Sequence, residues 1–126
     1  MVVIDSDILI WLLRGDLQVT ERFKKTLIDT EGNIFITPVQ IAEIYAGILP
    51  KEKAMVEGFL SSLGAITINE KVGRLAGEYM NKYGKSHNLT LADAMVASAS
   101  QINGCELWTK NKKHYPMLAS NDFFKE

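Results

Sequence analysis

The chain opens on a β-branched run, Val2-Val3-Ile4, that leads directly into an acid, Asp5. Both faces of such a run are apolar, so it reads as a strand covered on both sides, which places it inside a parallel sheet. The covering elements follow in order. Ile8 to Leu13 predicts a short helix ended by Arg14-Gly15-Asp16, and Val19 to Ile28 a second, with Val19, Phe23, Leu27 and Ile28 at helical spacing. Ile34 to Thr37 reads as a strand, and Pro38 suits the first turn of a helix through Ala42, Tyr45 and Ile48 that Pro50 stops. An amphipathic helix over 51–63, a strand over Ala65–Ile68, helices over 70–83 and Thr90–Ile102, and a strand over Cys105–Thr109 complete the pattern, with a polar, turn-like tail from Lys110. Strands separated by helices imply an α/β domain with a parallel sheet and helices on both faces. In such sheets ligands bind beyond the carboxyl ends of the strands.

The 126 residues suit a single domain, 1–126, and a composition 47% hydrophobic and 23% charged is that of a globular protein. A net charge of −1 excludes a generally basic nucleic-acid binder, so any contact with phosphates must rest on local positive charge. The single cysteine, Cys105, excludes an internal disulfide and a Cys-based zinc site and reads as buried filler. Ile8–Leu13 is too short to span a bilayer, and the start lacks the features of a signal peptide, so a cytoplasmic protein without a membrane segment is expected.

The acids carry the functional reading. Asp5 and Asp7 leave the first strand at the carboxyl edge of the sheet, where Asp5-Ser6-Asp7 also serves as a helix cap. Glu43 sits mid-helix in Val39-Gln-Ile-Ala-Glu-Ile-Tyr-Ala-Gly. Small neighbours leave room beside its carboxylate, which is either solvated at a helix edge or, if buried, protonated, paired or bound to a cation. Asp93, in Thr90-Leu-Ala-Asp-Ala-Met-Val-Ala, lies in the first turn of a helix apolar nearly all round, with Thr90 as its cap. Thr109 and Asn111 leave the last strand at the same edge and offer neutral oxygens, or alternatively end a strand and make a turn. Oxygen ligands without paired Cys or His suit a hard ion, Mg²⁺ or Mn²⁺.

In this order and spacing the segments resemble the PIN-domain family, and more narrowly the VapC toxins of toxin–antitoxin pairs. The residues that carry the resemblance are the opening hydrophobic-Asp5-Ser6, Ile41-Ala-Glu43-Ile-Tyr-Ala-Gly47, Leu91-Ala-Asp93-Ala-Met-Val-Ala97 and Thr109-Lys-Asn111. The resemblance implies a three-layer α/β/α sandwich around a parallel sheet of four to five strands, and Mg²⁺-dependent cleavage of RNA. It matches Asp5, Glu43 and Asp93 to the family's acidic positions and Thr109 and Asn111 to its last motif, where Asn111 or His114 stands in place of a further acid often found there. It also implies a cognate antitoxin and a homodimer.

On this reading Asp5 and Asp93 are direct ligands, Glu43 binds through water or orients the nucleophile, and Asn111 completes the catalytic set by fixing outer-shell water, with Ser6 and Thr109 in support, while Asp7 is structural. Lys110, Lys112, Lys113 and His114 supply the local positive charge for single-stranded or looped RNA, with Lys82, Lys85 and His87 near the Asp93 helix as possible additions. Trp11, Tyr45, Trp108 and Tyr115 are candidates for base stacking, although such aromatics are more often core. Apolar residues Phe23, Leu27, Met55 and Phe59 offer a partner surface or pack on the sheet. Other readings are a PIN nuclease of RNA processing, an inactive PIN module that binds RNA or protein, and a phosphatase, since Val2 to Leu9 also resembles the first haloacid-dehalogenase motif with Asp5 as nucleophile and Asp7 as general acid.

Overall fold

The computed structural model describes all 126 residues. Four parallel strands, β1 (Val2–Ile4), β2 (Ile34–Ile36), β3 (Gly64–Ala65) and β4 (Glu106–Trp108), lie in the order β3-β2-β1-β4. The helices are α1 (Ser6–Leu13), α2 (Leu17–Asp29), α3 (Pro38–Gly47), α4 (Lys53–Ser61), α5 (Glu70–Tyr83) and α6 (Leu91–Ile102). As its apolar sequence requires, β1 is interior and fully buried. It pairs Val2 and Val3 with Ile34 and Phe35 on one side, and Val2, Val3 and Ile4 with Glu106, Leu107 and Trp108 on the other.

Strand side chains alternate between faces, and the two faces have different coverings. Val2 and Ile4 pack with Ile8, Leu9, Val19, Ile44, Val56 and Leu60, so α1 to α4 cover one face. Val3 packs with Val72, Val96, Ala97 and Leu107, so α5 and α6 cover the other. The result is the expected α/β/α sandwich with a four-stranded sheet. The chain builds outward from β1 through β2 to β3, then returns across β1 to β4. Strand order therefore reverses between β1 and β4, the position where open α/β sheets form a crevice.

Two segments differ from the sequence expectation. The third strand is Gly64–Ala65 rather than Ala65–Ile68, with one further backbone bond from Ile66 N–H to the Ile36 carbonyl at 2.8 Å. Gly64 passes so near the Phe35 ring that a Cβ would stand 2.3 Å from it. The chain then leaves this edge position for α5, whose N-terminus Asn69 caps by accepting from Val72 N–H. The tail is also more ordered than its polar composition suggested. Phe123 forms a parallel bridge to Leu107, and Tyr115 and Phe123 are buried in the core on the α5–α6 face. They lie in two short apolar stretches, Tyr115 to Leu118 and Phe123-Phe124, neither long enough to show a period.

A buried amide fixes α3 to the central strand. The Gln40 side chain is fully buried; its Nε2 donates to the Ile4 carbonyl at 3.1 Å, and its Oε1 accepts from Thr37 N–H and the Thr37 hydroxyl. Gln40 lies one turn before Glu43, so this bond sets where the Glu43 face stands relative to the end of β1. Gln40→Ala should destabilise the protein by about 2–4 kcal/mol, because it opens a cavity and strips buried groups of their partners. Urea unfolding measures this, and a loss below about 0.5 kcal/mol would show that the amide does not lock α3.

Candidate active site

Asp5 ends β1 and caps α1. Its backbone N–H continues the ladder to the Trp108 carbonyl at 2.9 Å, so the residue is held by the sheet before its side chain makes any contact. The side chain is 7% exposed. Oδ1 accepts from Ser6 N–H at 2.8 Å and Oδ2 from the Tyr115 hydroxyl at 2.7 Å. The cap and the site are therefore the same carboxylate. Its pKa is raised, first by burial and further by the charge of Asp93, against the hydrogen bonds it receives.

Asp93 comes from the other face of the sheet. Thr90 caps α6 by accepting from Asp93 N–H at 3.1 Å, and the buried run Val96–Ser100 seats the helix. The Tyr115 hydroxyl stands 3.3 Å from Asp93 Oδ1, and His114 Nδ1 lies 3.9 Å from Oδ2. Both Asp5 and Asp93 thus sit at helix N-termini, where the helix dipole favours negative charge.

Glu43 is exposed, on the face of α3 that its small neighbours leave uncovered, so it is the solvated helix-edge carboxylate and not a buried one. The Ser6 hydroxyl donates to its Oε1 at 3.0 Å, which ties α3 to the first turn of α1. Its pKa is also raised, by partial burial first and then by Asp5, Asp93 and Asp7. Asp7 is structural, as expected. Its Oδ2 accepts from the Thr109 hydroxyl, Lys110 N–H and Asn111 Nδ2, and its Oδ1 from Ile8 N–H. Burial, followed by the charge of Asp5, raises its pKa.

Asp5, Glu43 and Asp93 therefore meet at one edge, with Ser6 and Thr109 among them. Asn111 reaches the same edge, but its amide N is turned toward Asp7. No lysine or arginine side chain comes within ion-pair distance of any of these acids. The cationic segment after β4 instead fans outward. Lys110 pairs with Glu126 at 3.5 Å, Lys112 lies over the Phe123 ring, and Lys113 is exposed. Trp108 and Tyr115 are buried and unavailable to a base, whereas Trp11 is 42% exposed. Sequence reasoning missed Tyr115 as part of the site. Its hydroxyl pKa lies far above the usual range, owing to burial and then the charges of Asp5 and Asp93, so the group is a proton donor.

The donors suit a hard cation: all are oxygens, and burial and then mutual charge raise the pKa of Asp5, Asp7 and Glu43 with no lysine or arginine paired to them. No three acidic, His or Cys side chains are drawn together tightly enough to ring an ion alone. An ion here would keep part of its water shell, as Mg²⁺ does.

The family pattern of the PIN domain matches residues 2–117. The chain belongs to the PIN domain family. Ribonuclease VapC10 of Mycobacterium tuberculosis is 32% identical over 119 residues, covering 94% of this chain and 88% of that protein. Ribonuclease VapC19 of the same species is 27% identical over 119 residues, covering 94% of each. Among solved structures, VapBC2 from Rickettsia felis bound to a DNA fragment from its promoter superposes with a TM-score of 0.78 at 19% identity, covering 100% of this chain and 98% of that one. A toxin–antitoxin complex from Klebsiella pneumoniae gives 0.75 at 21% identity, covering 99% and 97%. The phosphatase reading fits poorly beside this PIN assignment, because four donors already engage the Asp7 carboxylate that would act as its general acid.

Burial of these acids ties stability to pH. A pKa raised on folding means stability that is present at low pH and lost as pH rises through the folded value. For Asp5, Asp7 and Glu43 the metal-free protein should therefore gain from acidification toward about pH 4, near the ordinary carboxylate range, relative to pH 7. Asp5→Asn should raise Tm in EDTA at neutral pH by a few degrees, read by thermal melts. An unchanged or lowered Tm would mean that the charge at Asp5 is not under strain.

Proposed function

We propose that this chain is a Mg²⁺-dependent endoribonuclease of the VapC type, the toxin of a toxin–antitoxin pair, with Mn²⁺ as a substitute ion. The observation that carries the reading is the convergence of Asp5, Asp93 and Glu43 at the crevice between β1 and β4, in a chain 32% identical to a ribonuclease. Asp5 and Asp93 would hold the ion directly. Glu43, exposed and tied only to Ser6, would bind through water or take the proton of the attacking water. When bound, the ion supplies a water of lowered pKa and charge to stabilise the phosphodiester oxygens. Hydrolysis would join a water oxygen to phosphorus as the bond to the leaving sugar oxygen breaks; Glu43 would take the proton of the attacking water, and the leaving oxygen would take one from solvent. His114, beside Asp93 and half exposed, and Lys110, Lys112 and Lys113 would contact phosphates on either side. The crevice suits single-stranded or looped RNA, whose backbone bends to reach an edge site.

The proposed protein partners are a cognate antitoxin and a second copy of the chain. Two apolar depressions support the first. One, about 230 Å³, is walled by Ile10, Leu13, Ile44, Ile48 and Val56 and opens beside Glu43. The other, about 240 Å³, lies among Leu12, Phe23, Met55 and Phe59. No helix is long and apolar enough to cross a membrane.

Asp5→Asn and Asp93→Asn should each lower Mg²⁺-dependent RNA cleavage about a hundredfold or more, and EDTA should abolish it in the wild type. Glu43→Gln should lose activity while retaining metal. Full activity in both aspartate variants, or in EDTA, would refute the metal assignment.

A further inference from the structure

Tyr115 is the one residue that touches both proposed direct ligands, and nothing about an acidic metal site requires a tyrosine there. The residue closes the turn Lys112–His114, with its N–H donating to the Lys112 carbonyl at 3.0 Å. Its side chain is 1% exposed. The ring packs edge-on against Phe123, with centroids 6.4 Å apart, and Phe123 is itself bridged to Leu107 of β4. This seat delivers the hydroxyl from below, between an acid at the end of β1 and an acid on α6. We propose that Tyr115 is a positioning residue for the metal ligands, a strut whose donated bond fixes the rotation of the Asp5 carboxylate, beside Asp93, as a divalent ion needs. The inference rests on the metal-dependent reading above.

The geometry gives the strut its direction. A hydroxyl has one proton, and the 2.7 Å contact assigns it to Asp5 Oδ2 rather than to Asp93 Oδ1 at 3.3 Å. With Ser6 N–H on Oδ1, each Asp5 oxygen then has one donor, which fixes the plane of the carboxylate and leaves lone pairs for a cation. The same turn places His114 near the second oxygen of Asp93. One short segment thus addresses both acids, although they belong to opposite sides of the sheet.

Two effects of the hydroxyl on metal binding oppose each other. By donating to Asp5 it withdraws charge from a ligand, so its removal would tighten binding. By orienting Asp5 it reduces the ordering needed when the ion arrives, so its removal would weaken binding. Groups that orient metal ligands are worth about 10–100-fold in affinity, so orientation is expected to win. A buried tyrosine that merely finds a hydrogen-bond acceptor would alter stability and leave affinity alone.

The test is Mn²⁺ titration by calorimetry of the wild-type chain and of Tyr115→Phe, which keeps the ring, with thermal melts of both in EDTA. Tyr115→Phe should bind Mn²⁺ about tenfold more weakly. The metal concentration for half-maximal RNA cleavage should rise in parallel, while the rate at saturating metal stays within about threefold. Equal or tighter Mn²⁺ binding by Tyr115→Phe, whatever its melting temperature, would overturn the positioning role and leave the metal reading intact. Absence of Mn²⁺ binding by the wild type would overturn both.

Discussion

Burial, followed by the charges the acids set against one another, works against ionisation of Asp5, Asp7 and Glu43 at this edge of the sheet, and no lysine or arginine side chain relieves it. What orients Asp5, Asp7 and Glu43 is neutral: the backbone N–H groups of Ser6, Ile8 and Lys110, the hydroxyls of Ser6, Thr109 and Tyr115, and the Asn111 amide. A neutral donor fixes where a carboxylate points without cancelling its charge, whereas a guanidinium or ammonium would do both and compete with any incoming cation. The cost is that Asp5, Asp7 and Glu43 ionise less readily than free carboxylates. That cost falls on the metal-free protein and is returned when a cation binds the folded state alone.

Such an arrangement needs a rigid frame, because the sheet itself is slight. Each strand is only two or three residues long. The ladder between β1 and β4 nevertheless continues past Ile4 through Asp5 N–H, so the first acid is fixed by the sheet. The Gln40 amide then reads the Ile4 carbonyl and sets α3 one turn short of Glu43. On the opposite face the buried side of α6 sets Asp93. The position of each acid is therefore inherited from core packing, and Ser6 and Tyr115 join the three supports after the fold is made.

How much of this was legible in the sequence depended on the range of the contacts. The interior character of β1, the caps at Asp5 and Thr90 and the buried face of α6 follow from residues close in the chain, and each was readable. The edge between β1 and β4 was readable too, because alternation of strands and helices forces a parallel sheet whose acids follow its strands. Gln40 was not readable: a glutamine in the first turn of a helix is ordinarily solvated, and its partner, the Ile4 carbonyl, lies 36 residues away. Tyr115 reads in the sequence as a possible stacking residue, because the acid its hydroxyl meets is 110 residues distant. The exposure of Glu43 depended on which face of α3 the small residues leave open, which periodicity alone did not settle.

The hydrogen-bond inventory also separates acids that the sequence presents as similar. An ionised carboxylate offers about four lone-pair sites. Asp7 receives four donors, from Ile8, Thr109, Lys110 and Asn111, and so has nothing left for a cation; it binds the β4 exit loop instead. Asn111, the neutral residue of the Thr109-Lys-Asn111 segment, is one of those donors. An aspartate in its place would set a second charge against Asp7 and give up a bond that holds the loop. Asp5 receives two donors and keeps half its capacity. Glu43 receives one and is open to solvent. Openness to a cation therefore runs from Glu43 through Asp5 to Asp7. Burial runs the opposite way between Glu43 and Asp5, so the acid best placed to hold an ion away from water is not the one best placed to exchange a proton with it.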